Sequence, residues 1–315
     1  MTNTLITFEG KYGSSKRAAE ILGYILGNTK LYSVEDAPKD LADYKNIIFI
    51  FGFYGPYTAA ATKAYIKLVQ NQLAGHKIGV VGVGIAEADF ASYRPAIAEC
   101  LGRAEDIALF VEGELRLDRI SPQDLKALEM FSKITGLVNE DKGNFSVQAV
   151  TSVAEQFIKV FNVPSAPMER SKLKKEIEHF VTGHNTFALA TGTGDFVRCT
   201  PIEYQYIEGC FYLITEGGMK FKSILQNKSV SMGIFDKYDN MSNVKGLQIT
   251  GEAEIVPLMS EEYCKVLKQK DVNQSALKKM PINLYLLKIT PRKFEFLNSD
   301  FKKTGFDSKQ IYEVK

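Results

Sequence analysis

The chain contains no tryptophan, only three histidines and only four cysteines in 315 residues. Without tryptophan, a flat cofactor would have to be covered by tyrosine or phenylalanine, which number 15 and 20. Cys100, Cys199, Cys210 and Cys264 form no C-x-x-C pair, so the pattern suggests no disulfide framework, zinc site or iron–sulfur cluster. His76, His179 and His184 are too scattered for a metal, since the last two would fall on different faces of a helix. An excess of one charge is also missing. The 39 basic and 37 acidic residues leave +2, which gives no electrostatic reason to expect nucleic acid, and the basic run at 170–175 reads as a solvated helix face. No apolar run is long enough to span a bilayer, and the N-terminus lacks the basic-then-apolar secretory pattern. A cytoplasmic protein with no membrane span is expected.

What is present begins at residues 5–26. An apolar, β-branched run ends in a glycine-bracketed loop, after which Ala18, Ile21, Leu22 and Ile25 take up helical spacing. This is a strand, a turn and a helix start. The unpaired backbone N–H groups there, with Ser14, Ser15, Lys16 and Arg17 as further donors, would suit a phosphate monoester. On local grounds a plain turn with Ser14 as N-cap and two solvated cations remains the alternative. The loop is neither G-x-x-x-x-G-K-[ST] nor G-x-G-x-x-G, which disfavours a Walker-type or dinucleotide site.

Further strands are predicted at 30–34, 45–53, 77–83 and 107–112, with helices at 62–69, around 93–101, at 122–134 and at 147–161. Strands alternating with helices imply right-handed crossovers and a doubly wound parallel sheet. Ligands bind such sheets beyond the carboxyl ends of the strands. Three loops meet there: the hydroxyl loop, then Phe53-Tyr54-Gly55-Pro56-Tyr57 with its aromatic faces, then Gly82-Val83-Gly84-Ile85-Ala86-Glu87, whose glycines would let backbone approach a ligand. A flat heteroaromatic ring on a phosphorylated tail would use all three.

At these residues the chain resembles the flavodoxin family, and within it the branch that includes menaquinone-dependent protoporphyrinogen dehydrogenase. Tyr12-Gly13-Ser14-Ser15-Lys16-Arg17-Ala18-Ala19-Glu20 looks like that branch's phosphate loop and first helix, and 112–136 looks like its post-strand segment. The likeness covers residues 1–162. It implies FMN, with its phosphate on Gly13, Ser14, Ser15 and Lys16 beside Tyr12. The ring would lie between Phe53, Tyr54, Gly55, Pro56 and Tyr57 on one side and Gly82, Gly84, Ile85 and Ala86 on the other, with Tyr54 or Tyr57 as the stacking ring. The family's usual T-x-T-G-x-T loop and its common tryptophan are both missing here.

Residues 163–169, with Pro164 and Pro167, read as a linker, and 170–315 as a second domain. An amphipathic helix at 172–181 precedes short β segments at 186–191, 196–199, 202–207, 210–215, 230–236, 245–256 and 284–296. Helices interrupt only at 221–226 and 260–268. Consecutive short strands without crossover helices imply an antiparallel barrel or sandwich. Pro291 is expected at a bulge or edge, and the polar tail after residue 296 either covers a partner subunit or is mobile.

This half resembles the pyridoxamine 5′-phosphate oxidase-like split-barrel family. The likeness rests on 196–202, on 211–215, on the run from Met219 through Lys220, Lys222 and Asn227 to Val230, and on 246–253. It implies FMN in a groove at a homodimer interface, with Thr215, Lys220 and Lys222 around the phosphate and Arg198, Cys199 and Thr200 along the ring and ribityl chain. Lysines on the first turn of a short helix suit a phosphate dianion, and Arg198 suits flavin carbonyl oxygens. The family's residues for pyridoxamine phosphate are not recognisable.

Together the two likenesses imply a flavodoxin-like domain fused to a split barrel, an FMN-dependent flavoprotein oxidoreductase or electron-transfer protein. Its partners would be a redox donor or acceptor such as a nicotinamide, a reduced carrier or a quinone. No catalytic acid, base or nucleophile stands out. A haem-handling split barrel and a non-catalytic protein with vestigial flavin pockets are the alternatives.

Overall fold

The computed structural model describes residues 3–53, 58–135, 139–161, 166–270, 272, 277 and 279–314. It divides into two compact units, Met1–Val163 and Pro164–Lys315.

The first unit is a five-stranded parallel sheet in the order β2-β1-β3-β4-β5. Its strands are β1 (Thr4–Glu9), β2 (Thr29–Ser33), β3 (Asn46–Gly52), β4 (Lys77–Gly84) and β5 (Ile107–Glu112). Apolar side chains fill the inner strand β3, which is buried along its whole length because helices cover both faces. On one face lie α1 (Ser14–Leu26) and α5 (Val147–Phe161), which bring Ala18, Leu22, Val150 and Phe157 onto Ile6, Ile48 and Val81. On the other lie α2 (Ala60–Val69) and α3 (Glu87–Leu101), which bring Tyr65, Ile66, Phe90 and Ile97 onto Leu5, Phe49 and Val80. The remaining helix is α4 (Pro122–Thr135). Helix α3 begins six residues before the predicted start, at an acidic first turn of Glu87 and Asp89 that suits a helix N-terminus, and it runs on through Pro95.

The second unit is an antiparallel eight-stranded sheet: β6 (Thr186–Thr193), β7 (Phe196–Glu203), β8 (Gln205–Ile207), β9 (Cys210–Thr215), β10 (Ser229–Phe235), β11 (Lys245–Val256), β12 (Tyr285–Asn298) and β13 (Lys309–Glu313). The order is β7-β6-β10-β11-β12-β9-β8, with β13 also on β12. β7 and β9 are far apart in that order, yet they approach each other, so the sheet curls into a split barrel. Its core is closed by α6 (Arg170–Thr182), which inserts Leu173, Ile177, Phe180 and Val181. Two shorter helices, α7 (Lys220–Ile224) and α8 (Glu261–Gln269), complete the unit.

Two expectations change here. The predicted break at Pro201 is absent: β7 runs through it, because β7 is an edge strand and a missing ladder donor costs nothing on the open side. The polar tail, for which mobility is one expectation, instead adds β13 to the same sheet, pairing Gln310 with Phe296, and Phe301 and Gln310 are buried. Pro291 does sit at a bulge, where the β11–β12 register shifts at Thr250/Gly251 and Gly251 faces Pro291. A Cβ at Gly251 would come within 2.6 Å of the Thr290 carbonyl oxygen, so that close approach needs glycine.

Candidate functional site

At the carboxyl rim of the parallel sheet, the order of strands reverses between β1 and β3, and α1 starts at that switch point. Gly13 enters the helix with φ 97°, a left-handed conformation that glycine adopts without penalty. No side chain caps α1 and its first turn holds no acid. The Arg17 N–H closes the first turn on the Gly13 carbonyl at 2.8 Å, so the N–H groups of Ser14, Ser15 and Lys16 have no acceptor within the helix. The start of α2 differs. There the Glu9 carboxylate, from the end of β1, accepts from the Thr62 N–H and hydroxyl, both at 2.7 Å, and fills that anion position with a side chain of the protein.

The rest of the rim is tied together. Tyr12 donates to Asp124 of α4, and the Ser121 N–H donates to the Tyr12 hydroxyl at 3.2 Å. The Tyr12 hydrogen bond, with Lys11 beyond it, holds Asp124 below the usual carboxylate range. The Glu114 N–H donates to the Ser14 hydroxyl at 3.4 Å, and the Gly113 N–H to the Gly84 carbonyl at 2.7 Å. The loops after β1, β4 and β5 thus form one hydrogen-bonded edge around the start of α1.

In the split barrel, polar groups gather where α7 packs on β6 and β7. Lys220 is 6% exposed, and its ammonium donates to the Gly217 carbonyl. Burial pushes its pKa below the usual lysine value; Glu216 opposes that push and Arg198 adds to it. The Lys222 ammonium stands 4.5 Å from the centre of the Phe196 ring. The buried Thr215 hydroxyl is occupied within its own turn, accepting from the Gly217 N–H at 3.4 Å. The hydroxyls of Thr191 and Ser223, also buried, have no partner.

A family profile described as "Flavodoxin domain" matches residues 5–141. The first unit has the flavodoxin-like fold. No curated protein matches the chain. Several solved structures resemble it. The putative pyridoxamine 5′-phosphate oxidase of Listeria innocua is 22% identical, with a TM-score of 0.33, covering 40% of this chain and 99% of its own. ChuZ of Campylobacter jejuni is 16% identical at a TM-score of 0.37, covering 59% and 85%. The haem-storage protein HutZ of Vibrio cholerae is 18% identical at 0.33, covering 38% and 89%.

In the flavodoxin domain the predicted phosphate residues Tyr12, Gly13, Ser14, Ser15 and Lys16 are together, but their donors are mostly backbone. The Lys16 side chain runs along the helix to Glu20 at 4.0 Å, and the Arg17 guanidinium lies 4.8 Å over the Phe145 ring, so neither cation is committed to the loop. Gly82 and Gly84 serve the protein's own packing. A Cβ at Gly82 would meet Phe90 at 2.3 Å, and one at Gly84 would meet Phe53 at 2.4 Å. Phe53 is therefore held edge-on between Phe51 and Tyr93, while Ile85 and Ala86 stay exposed on the rim. Tyr54, Gly55, Pro56 and Tyr57 lie outside the described residues. In the split barrel, Arg198, Cys199 and Thr200 follow one another on β7, with Arg198 and Cys199 exposed. Sequence reasoning missed Glu9, Asp124, Thr191 and Ser223. Only Ser223 carried a signal, three residues after Lys220 and so on the same side of a helix.

Both seats fit a phosphate. Among the described residues, one offers N–H groups with no acceptor in the helix and no acid in its first turn, and the other a buried ammonium without a carboxylate bonded to it.

Proposed function

We propose that the protein is an FMN-dependent flavoprotein, an oxidoreductase or electron-transfer protein, with one FMN site in each domain. The observation that carries the reading is the uncapped, acid-free start of α1 at the β1/β3 switch point of the flavodoxin domain. The neighbouring helix start at α2 is already filled by Glu9, whereas the start of α1 carries no side-chain cap and no acid in its first turn.

FMN when bound supplies hydride acceptance and single-electron transfer. The protein's part is to hold and tune it. In the flavodoxin domain the Ser14, Ser15 and Lys16 N–H groups hold the phosphate, Tyr12 and Asp124 fix the loop, and Phe53, Ile85 and Ala86 edge the space for the ring. In the split barrel Lys220 and Lys222 neutralise the phosphate. The split-barrel likeness has Arg198 along the ring; its pairing opposite Thr191 of β6, with its electrostatic effect on Lys220, supports a place at the phosphate end instead. Cys199 and Thr200 continue along β7 toward the ring.

A homodimer through the split barrel is part of this reading. Val197 on edge strand β7 is 76% exposed and Leu225 after α7 is 72% exposed, apolar surface beside the cations that a second copy would cover. The redox partner is a nicotinamide, a reduced carrier or a quinone.

The test is an absorbance spectrum of the purified full chain, with the acid-released flavin identified and counted. The reading expects a yellow protein releasing about two FMN per chain, one for each seat. Protein that stays colourless after FMN is added overturns it, and a Soret band on haem titration in place of a flavin spectrum turns it toward haem handling.

A further inference from the structure

Two buried hydroxyls at the α7–β6 seam have nothing to bond to. Thr191 is 4% exposed and Ser223 is fully buried, and neither oxygen has a partner. Native interiors keep few such groups, because an idle buried hydroxyl has lost its water and gained nothing. The backbone of Ser223 is engaged, its carbonyl accepting from the N–H groups of Gln226 at 2.9 Å and Asn227 at 2.7 Å. Its hydroxyl alone is idle.

The strand register places these groups beside the cations. Thr191 of β6 is paired with Arg198 of β7, and directly opposed residues of an antiparallel pair share a face. Phe196, two residues from Arg198, shares that face, and its ring lies under the Lys222 ammonium of α7. Ser223 follows Lys220 by three positions on the buried side of α7. The exit of α7 is pinned to residues flanking Thr191: the Asn227 amide donates to the Gly192 carbonyl at 3.1 Å, and the Thr193 hydroxyl donates to the Gln226 side-chain oxygen at 3.4 Å.

We infer that the Thr191 and Ser223 hydroxyls are the neutral donors of the split-barrel phosphate seat, and that they set its preference for a terminal phosphate monoester. The inference rests on the reading that this seat holds the FMN phosphate. A monoester dianion has three free oxygens. Lys220 and Lys222, with Arg198 beside them, offset its charge, and the two hydroxyls donate to oxygens that the cations leave open. Each phosphorus of a dinucleotide's diphosphate has only two free oxygens, with an ester link on one side and the bridging anhydride oxygen on the other, so it satisfies fewer of these donors.

Full-length wild type, Thr191→Val, Ser223→Ala and the double variant would be titrated with FMN, FAD and riboflavin, with phosphorus NMR distinguishing the two bound phosphates. Each single variant is expected to weaken FMN about tenfold at one seat and leave the other seat and riboflavin unchanged. The FMN-over-FAD preference should shrink with it. The same substitutions should raise the melting temperature of the flavin-free protein by about 1–4 °C, because each removes an idle buried hydroxyl. Unchanged FMN affinity in both variants, or a lower flavin-free melting temperature with equal losses for FMN and riboflavin, would overturn the inference and make the hydroxyls structural. Lys220→Ala separates the two levels. If it weakens FMN while the hydroxyl variants do not, the seat stands and its assigned donors fall. If wild type binds no second FMN, the underlying reading fails.

Discussion

The two domains each carry a proposed seat for an anion, and the two are built from opposite materials. In the flavodoxin domain the donors are backbone N–H groups at a helix start, and the nearby cations Lys16 and Arg17 are turned to Glu20 and Phe145. In the split barrel they are side chains: a buried ammonium, a guanidinium on an edge strand and two idle hydroxyls. A backbone seat is fixed once the turn is fixed, and the side chains around it are free to vary. A side-chain seat depends on each residue and on the desolvation of its charges. The two should therefore fail under different insults.

The largest expected separation comes from Lys220→Ala. Losing a charge-assisted hydrogen bond to phosphate should weaken FMN about 100-fold at the split-barrel seat and leave the flavodoxin seat untouched. The flavin-free protein should not lose stability, because Lys220 is a buried ammonium bonded to a backbone carbonyl with no carboxylate on it. Titration of each seat and a denaturant melt check both halves. Equal loss at both seats would break the comparison.

Next is Gly13→Ala. Nothing lies within 4 Å of the added Cβ, so the cost is purely that of φ 97°, about 1–2 kcal/mol for a non-glycine residue in a left-handed conformation. Flavin binding at the α1 start should weaken as the turn relaxes, with no change at the split barrel. Chemical denaturation of the flavin-free protein measures the cost.

Alkaline pH should separate the seats more gently. Lys220 has a depressed pKa in the folded protein, so as pH rises through that value the folded state releases its proton before the unfolded chain does. The unfolded state then holds more protons, and the stability of the flavin-free protein rises across the window below the ordinary lysine value. Binding a phosphate favours the charged ammonium, so the same window weakens FMN at the split barrel and couples binding there to proton uptake. The backbone seat has no such group and should stay flat. Calorimetry in two buffers of different ionisation enthalpy reads the difference directly.

How much of this could be read from the chain follows the same division. The strand, turn and helix start at residues 4–26 were legible because the period of apolar residues switches from strand to helix around Gly13. The run 45–53 was legible because a strand buried on both faces has to be apolar throughout. What escaped was set by tertiary partners. Glycines 82 and 84 read as openings for a ligand, yet the rings that fill them come from Phe90 and Phe53, and composition does not announce such pairings. The polar strand β13 was missed because it lies on a sheet edge with little apolar content, and its buried Gln310 earns its place by donating to the Asp307 carbonyl at 2.7 Å. Thr191 and Ser223 look ordinary in sequence. They become conspicuous only once their neighbours are known to leave them unbonded.

The smallest effect expected tests whether the backbone seat is truly independent of side chains. Tyr12→Phe keeps the ring and removes the hydroxyl that donates to Asp124 and accepts from the Ser121 N–H at 3.2 Å. The donors of the seat are backbone N–H groups of α1, which the substitution leaves in place, and the tether between the loop and α4 is cut. A net loss of about 0.5–1.5 kcal/mol is expected. It should appear as faster flavin dissociation from the flavodoxin domain, with the equilibrium stoichiometry unchanged. The tyrosine hydrogen bond is also the main reason that Asp124 stays ionised below the usual carboxylate range, so the variant should move the Asp124 titration up toward its ordinary value, visible by carbonyl NMR. If dissociation is unchanged while that titration moves, the tether is electrostatic housekeeping and the turn holds its own shape. If both move together, the backbone seat depends on this one side chain, and the contrast between the domains is one of degree.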